Sequence, residues 1–350
     1  MRRPFVGASV GAVVAGALLL AGCGSSSSGS SGSGSSSSGS GAGGPSVTVR
    51  LGLLANITHA PALVGIQKGF FTKNLGSNKL TTTVYNSGTQ ETTAILAGQL
   101  DAAYVGPNPA INAFQKSSGS AIKIVSGVAT GGASVVVKPG ITGASGLKGK
   151  IVDTPSLGNT QDVAVRSWLK DSGLATTTTG GGDVTIKPTN PNSNAVLQFK
   201  SGQIGGASEP SPYDVEMVQA GGKVLFKEPG VTTVLIVTQS FLKAHPSVVS
   251  DLLKGQIEAE DYIRQSPGTA QASANAELTA LAGKGIKSSV LPAAFKEITF
   301  TNDPDASSLA TDAQQAKAVG LLKSTDLSGI FDLAPLNRLL EAAGESQVNS

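Results

Sequence analysis

The chain has 350 residues, with 26 Lys and Arg against 23 Asp and Glu, for a formal charge of +3. No block of like charge stands out, which argues against a nucleic-acid partner. One cysteine, Cys23, and two distant histidines, His59 and His245, exclude an internal disulfide, a cysteine-based metal site and a histidine metal motif, so neither cofactor nor metal is expected.

The chain opens with Arg2 and Arg3, an apolar stretch over residues 6–20, and then Leu20-Ala21-Gly22-Cys23. A basic start and a short apolar segment before small residues mark a secretory signal, and at under about 20 apolar residues it is too short to span a bilayer. The last four residues resemble a bacterial lipobox. Residues 1–22 are therefore expected to be a lipoprotein signal peptide and Cys23 the lipidated start of the mature chain, which removes two arginines and leaves a charge of +1. Residues 24–45 are almost entirely Gly and Ser, so residues 23–45 read as a lipid-anchored linker with a reach of about 25 Å. The protein would then sit on the outer face of the cytoplasmic membrane or in the periplasm, anchored and not spanning.

From residue 46 onward, strand and helix patterns alternate. VTVRLGLL (47–54) predicts a strand, and His59-Ala60-Pro61 starts a helix with proline in its first turn. LTTTVYN (80–86) is a second strand, and Ser87 followed by Gln90 has the form of a capping box that opens a helix. Strands are expected over 100–106, 121–130 and 133–138, with a helix at PNPAINAFQKS (107–117). The pattern then restarts: strand 150–154, a helix over 159–173 capped by Asn159 or Thr160, strand 183–187, helix 192–202, strand 204–208, helix 210–222 and strand 223–226. TTVLIVT (232–238) reads as a buried strand, and the chain is mainly helical from residue 240. Such alternation predicts an α/β fold of two lobes, each a mixed, mostly parallel sheet flanked by helices.

One phrase occurs twice. GQLDAAYVGPNP (98–109) and GQIGGASEPSP (202–212) both start Gly-Gln-aliphatic, pass through small and apolar residues, and end in Pro-x-Pro. Two half-structures of one kind follow, with ligand expected in the crevice beyond their strand ends.

Five loops should line that crevice: 56–60, 87–90, 106–108, 156–161 and 208–210. Most stand where a helix begins, and free N–H groups there suit an anion. The candidate ligand-binding residues are Thr58, His59, Gly88, Gly106, Asn108, Ser156, Gly158, Asn159, Thr160, Gln161 and Glu209. No arginine falls in these loops, which favours an oxyanion held by amides and hydroxyls over one clamped by guanidinium. Trp168 reads as core, and His245 as an exposed helix start.

HAPALVGIQKGFF (59–71), LAGQLDAAYVGPNPA (96–110), the long segment 146–174, Glu209-Pro210 and FLKAHPSVV (241–249), in that order, resemble the nitrate/sulfonate/taurine family of ABC-importer substrate-binding proteins, which is also related to thiamine-precursor-binding proteins. The resemblance implies the type II periplasmic-binding-protein fold, with lobe one at 46–136 plus 238–350, lobe two at 137–237, and crossings near ASVVVK and VLIVTQ. It also implies a monomer that passes a small anionic solute to permease and ATPase subunits. The alternatives are a thiamine-pyrimidine-precursor binder, an enzyme on the same fold, or a surface adhesin or sensor. Related enzymes rely on cysteine, which this chain lacks beyond Cys23, so a non-enzyme is expected. Ala207-Ser208 precede Glu209-Pro210 where relatives often carry a bulkier aromatic nearby, which leaves the ligand open.

Overall fold

The computed structural model describes residues 46–350, which form one compact unit. The expected signal peptide, Cys23 and the linker to residue 45 lie outside the described residues. Among the described residues no helix is long and apolar enough to cross a membrane.

Eleven strands are described: β1 Thr48–Leu54, β2 Lys79–Tyr85, β3 Ala102–Val105, β4 Ile122–Gly131, β5 Ala133–Val137, β6 Ile151–Thr154, β7 Thr185–Pro188, β8 Gly206–Pro210, β9 Lys223–Lys227, β10 Val231–Thr238 and β11 Ile298–Phe300. They form two sheets, ordered β2-β1-β3-β10-β4-β11 and β7-β6-β8-β5-β9. Each begins with three parallel strands, continues with one antiparallel strand (β10 or β5), and then a strand antiparallel to that one (β4 or β9). The repeated phrase occupies the same place in both. β3 lies between parallel β1 and antiparallel β10, and β8 lies between parallel β6 and antiparallel β5.

Side-chain alternation shows how each sheet is buried on both faces. In β10, Leu235 and Val237 enter one cluster while Val234 and Ile236 enter another. In β5, Val135 and Val137 face one side and Val136 the other. The first sheet is covered on one face by α1 Ala60–Gln67 and α2 Phe70–Leu75, and on the other by α3 Gly88–Leu96 and α4 Pro107–Lys116. The second is covered by α5 Thr160–Asp171 on one face and by α6 Ser193–Ser201 and α7 Tyr213–Gln219 on the other. Helices α8 Gln239–Ala244, α9 Pro246–Gln265, α10 Pro267–Ala282, α11 Leu291–Lys296, α12 Ala306–Ala318 and α13 Ala334–Ala342 complete the chain. In α9, Val248, Val249, Leu252, Leu253 and Ile257 form the buried stripe that the spacing predicts. Trp168 stacks on Phe226 with ring centroids 5.7 Å apart at the edge of the second core.

The chain passes between sheets at Gly132, which separates β4 from β5, and at 228–230, which separate β9 from β10. This moves the expected boundaries by several residues. Ala133–Val137 pairs with β8 and β9 in the second sheet, and Val231–Thr238 pairs with β3 and β4 in the first. Both runs are apolar and buried on two faces, so their composition fits either sheet and only the pairing partner assigns them.

Candidate functional site

The site is built from helix starts on both lobes. After β1, the Asn56 carboxamide oxygen accepts the Thr58 N–H at 3.1 Å and its hydroxyl at 2.8 Å, which closes the single turn Ile57–His59. His59 follows, 1% exposed, and its Nδ1 accepts the Leu54 N–H at 3.3 Å. Burial pushes this imidazole down to about pKa 3, so it is neutral and, with Nδ1 accepting, carries its proton on Nε2. Ser87 caps α3 by accepting the Gln90 N–H, and Gly106 precedes α4 with Pro107 at its first position.

The fourth start belongs to the second lobe. Asn159 caps α5, its side-chain oxygen accepting the Asp162 N–H at 2.9 Å. Asp162 accepts from the Gly158 N–H at 2.9 Å, the Thr154 hydroxyl at 3.2 Å and Arg166 Nε at 2.9 Å. Arg166 also donates to the Thr177 carbonyl at 2.7 Å. Both members of this ion pair are buried, so the guanidinium is spent on holding the start of α5 and not on a ligand. Gly158 has φ +76°, a left-handed turn that a side chain would strain.

These starts converge on a cavity of about 60 Å³ between the lobes. Thr58, His59, Gly88 and Gly106 line it from the first lobe, and Asn159, Thr160 and Gln161 from the second. Among the residues lining it there is no Lys, Arg, Asp or Glu, so its field comes from helix ends, amides and hydroxyls. The lobes are latched around it. Thr89 and Ser156 share a hydroxyl hydrogen bond at 2.5 Å, Ile57 N–H donates to Ser211 O at 2.9 Å, and the Tyr213 hydroxyl donates to Ala55 O at 3.0 Å.

Residues 42–279 match the model of the NMT1-like family. The chain belongs to that family. No match was found among curated proteins. Among solved structures, this family member is similar to the alkanesulfonate-binding protein SsuA of Xanthomonas axonopodis pv. citri bound to MOPS, with TM-score 0.68 and 17% identity, covering 81% of this chain and 97% of that one. It is also similar to the periplasmic nitrate-binding protein NrtA of Synechocystis PCC 6803, with TM-score 0.70 and 14% identity over 85% and 89% of the two chains. The periplasmic aliphatic sulphonate binding protein SsuA of Escherichia coli gives TM-score 0.62 and 18% identity over 78% and 91%. The periplasmic-binding-protein fold expected from the resemblance is the fold of this NMT1-like chain.

Four of the candidate residues do not line the cavity in this NMT1-like protein. Asn108 turns away, its Nδ2 donating to Asp312 O at 3.2 Å, and Ser156 is engaged with Thr89. Gly158 shapes the turn one residue before the Asn159 cap. Glu209 was expected in a loop, but Ser208–Pro210 belongs to β8 and the Glu209 side chain is fully buried behind the site. Pro-Ser-Pro reads as a turn, yet pairing of Glu209 with Ser134 on β5 keeps the segment extended as far as Pro210.

Several lining residues were missed: Tyr85, Asn86, Asn192, Tyr213 and Thr232. For Tyr213 the available signal was its place directly after the second copy of the repeated phrase. Tyr85 ends β2 and Asn86 is the one residue between it and the Ser87 cap, so strand and cap signals mask both. Thr232 carried no signal, because its run reads simply as buried strand.

Proposed function

We propose that this chain is the extracytoplasmic solute-binding component of an ABC importer, which holds a small anion-bearing solute of the sulfonate, taurine or nitrate class between its lobes and delivers it to permease and ATPase subunits. In this reading it acts as a monomer tethered through Cys23. The observation that carries the reading is the convergence of the starts of α3, α4 and α5 on one uncharged cavity shared by two lobes. Each helix start contributes about 0.3–1 kcal/mol toward an anion at a surface and up to about 2 kcal/mol when partly buried, so the effect depends on several acting together. The neutral His59 adds an Nε2–H donor without bringing a charge into the first lobe. A 60 Å³ cavity suits a few-atom head group such as a planar or tetrahedral oxyanion. Contacts from both lobes to one solute drive hinge closure. The binding role, as opposed to turnover, is supported by His59 Nδ1, which accepts a backbone N–H and is not free to act as a base.

A thermal-shift panel of nitrate, taurine and ethanesulfonate tests this. A true ligand at a hundred times its Kd should stabilise the protein by about 2.7 kcal/mol. No stabilisation by any small anion, at any pH tried, would sink the reading.

A further inference from the structure

We propose that the cleft takes up a proton together with its anion, and that the buried carboxyl pair Asp153 and Glu209 holds that proton. This rests on the anion-binding reading above.

The geometry begins in the second sheet. Asp153 on β6 pairs with Ala207 on the adjacent parallel strand β8, so Asp153 and Glu209 lie on the same face as diagonal neighbours. Both side chains are fully buried, and among the described residues none of their four carboxyl oxygens has a hydrogen-bond partner of good geometry, although Thr189 approaches Asp153 and the two carboxyls approach each other. Two further carboxyls stand near. Asp214 on α7 accepts from the Ser134 and Ser211 hydroxyls at 3.1 and 2.7 Å, and Glu228 accepts from Ser208 at 2.5 Å and from Gln161 Nε2 at 3.5 Å.

Little positive charge faces this group. Lys187 on β7 acts on Asp153 from an exposed position, and Arg166 on α5 is tied to Asp162 and Thr177. The remaining neighbours add negative charge or a phenol: Tyr213 lies beside Glu209, Glu216 acts on Tyr213, Glu297 acts on Asp214, and Asp312 on α12 faces Glu228. Isolated buried carboxylates are costly, and like charges packed together cannot all ionise. Burial first, then the Asp153, Glu228 and Asp214 charges, raise Glu209 well above the usual carboxyl range. Burial also pushes Asp153 and Glu228 up to about 7 and Asp214 to about 6. Near neutral pH the group is therefore poised between protonation states.

The connection to the cleft is short. Pro210 is the residue after Glu209 and Pro155 lies two after Asp153, and both line the cavity, as does Gln161, which donates to Glu228. Closure brings Ser211 and Tyr213, at the start of α7, onto Ile57 and Ala55 of the other lobe. Shutting that edge removes water from the carboxyls, and an anion in the cavity adds a like charge beside them. Both effects favour the protonated form. The proton comes from solvent on closure and returns on opening; one O–H bond forms and is later broken. By linkage, the affinity for the anion falls as pH rises through about 7, by up to about tenfold per pH unit for one coupled proton.

The test is a pH-stat titration of the intact mature protein with nitrate, with ethanesulfonate and with taurine near pH 7, alongside calorimetric Kd values at pH 6, 7 and 8. The expected result is net proton uptake per bound anion and a Kd that rises with pH. Glu209→Gln and Asp153→Asn should reduce the uptake and flatten the pH dependence. Anion binding with no proton uptake and a pH-independent Kd overturns this inference and leaves the solute-binding reading intact. No binding of nitrate, ethanesulfonate or taurine from pH 6 to 8 overturns both. Uptake unchanged in both variants places the proton elsewhere and overturns the assignment to this pair.

Discussion

Gly106 and Thr160 meet across the cleft: a β-carbon on Gly106 would lie 2.4 Å from the Thr160 hydroxyl oxygen. Gly106 has φ −64°, a conformation open to any residue, so it is the approach of the opposite lobe and not backbone strain that excludes a side chain here. Gly106→Ala should therefore impair closure while leaving each lobe folded. Overpacking of this kind typically costs about 1–3 kcal/mol, which would weaken solute binding roughly tenfold or more with little change in the urea midpoint of the free protein. Adding Thr160→Ala removes the clashing oxygen and should restore part of the affinity. Unchanged binding by Gly106→Ala would show that the lobes do not clamp at this point.

Arg166 and Asp162 form a buried ion pair one helical turn apart, and Asp162 also fixes the turn before α5. Arg166→Met leaves an uncompensated buried carboxylate and should destabilise the protein by about 3–5 kcal/mol in urea unfolding. The double variant with Asp162→Asn should recover a substantial part of that loss. Equal losses in the single and double variants would argue against the pair as the cause.

Asp153 reaches about 7 in the folded protein through burial, above its usual 3.8. A carboxyl raised in this way binds more protons folded than unfolded, so its contribution to stability declines as pH climbs from about 4 to about 7 and stays low above. Asp153→Asn should raise stability by about 1–3 kcal/mol at pH 8 and by much less at pH 4, after allowing for the amide's own unmet hydrogen bonds. Thermal melts at the two pH values check this. A variant equally destabilised at both would mean that the carboxyl is not under charge stress.

His59 behaves in the opposite sense. Its folded-state value of about 3 lies below the ordinary 6.5, so the stability it carries is fully present above pH 6.5 and is lost as pH falls toward 3. Nitrogen NMR should show a neutral ring protonated at Nε2 and unchanged from pH 8 to pH 5. A His59 signal titrating near 6.5 would contradict its burial and the Leu54 contact.

Local chemistry was enough to locate most of the helix starts. Ser87 and Asn159 were recognisable because a short polar side chain that satisfies a free N–H acts within three residues of itself, whereas the Asn56 cap emerged only in the structure. The repeated Gly-Gln phrase announced two like sheets for a similar reason: equivalent strands face equivalent burial and end in equivalent turns. What lay beyond local reading was partnership between distant segments. Whether 133–137 and 231–238 joined one sheet or the other depended on hydrogen-bonding neighbours more than sixty residues away. The direction of Asn108 toward Asp312 and the enclosure of Glu209 within the second sheet arise only when distant segments of a lobe pack together, and the arrival of Tyr213 at the cavity wall only when the two lobes meet. Capping and periodicity are short-range and written in adjacent residues, whereas side-chain direction and carboxyl burial are set by whatever the rest of the chain places against them.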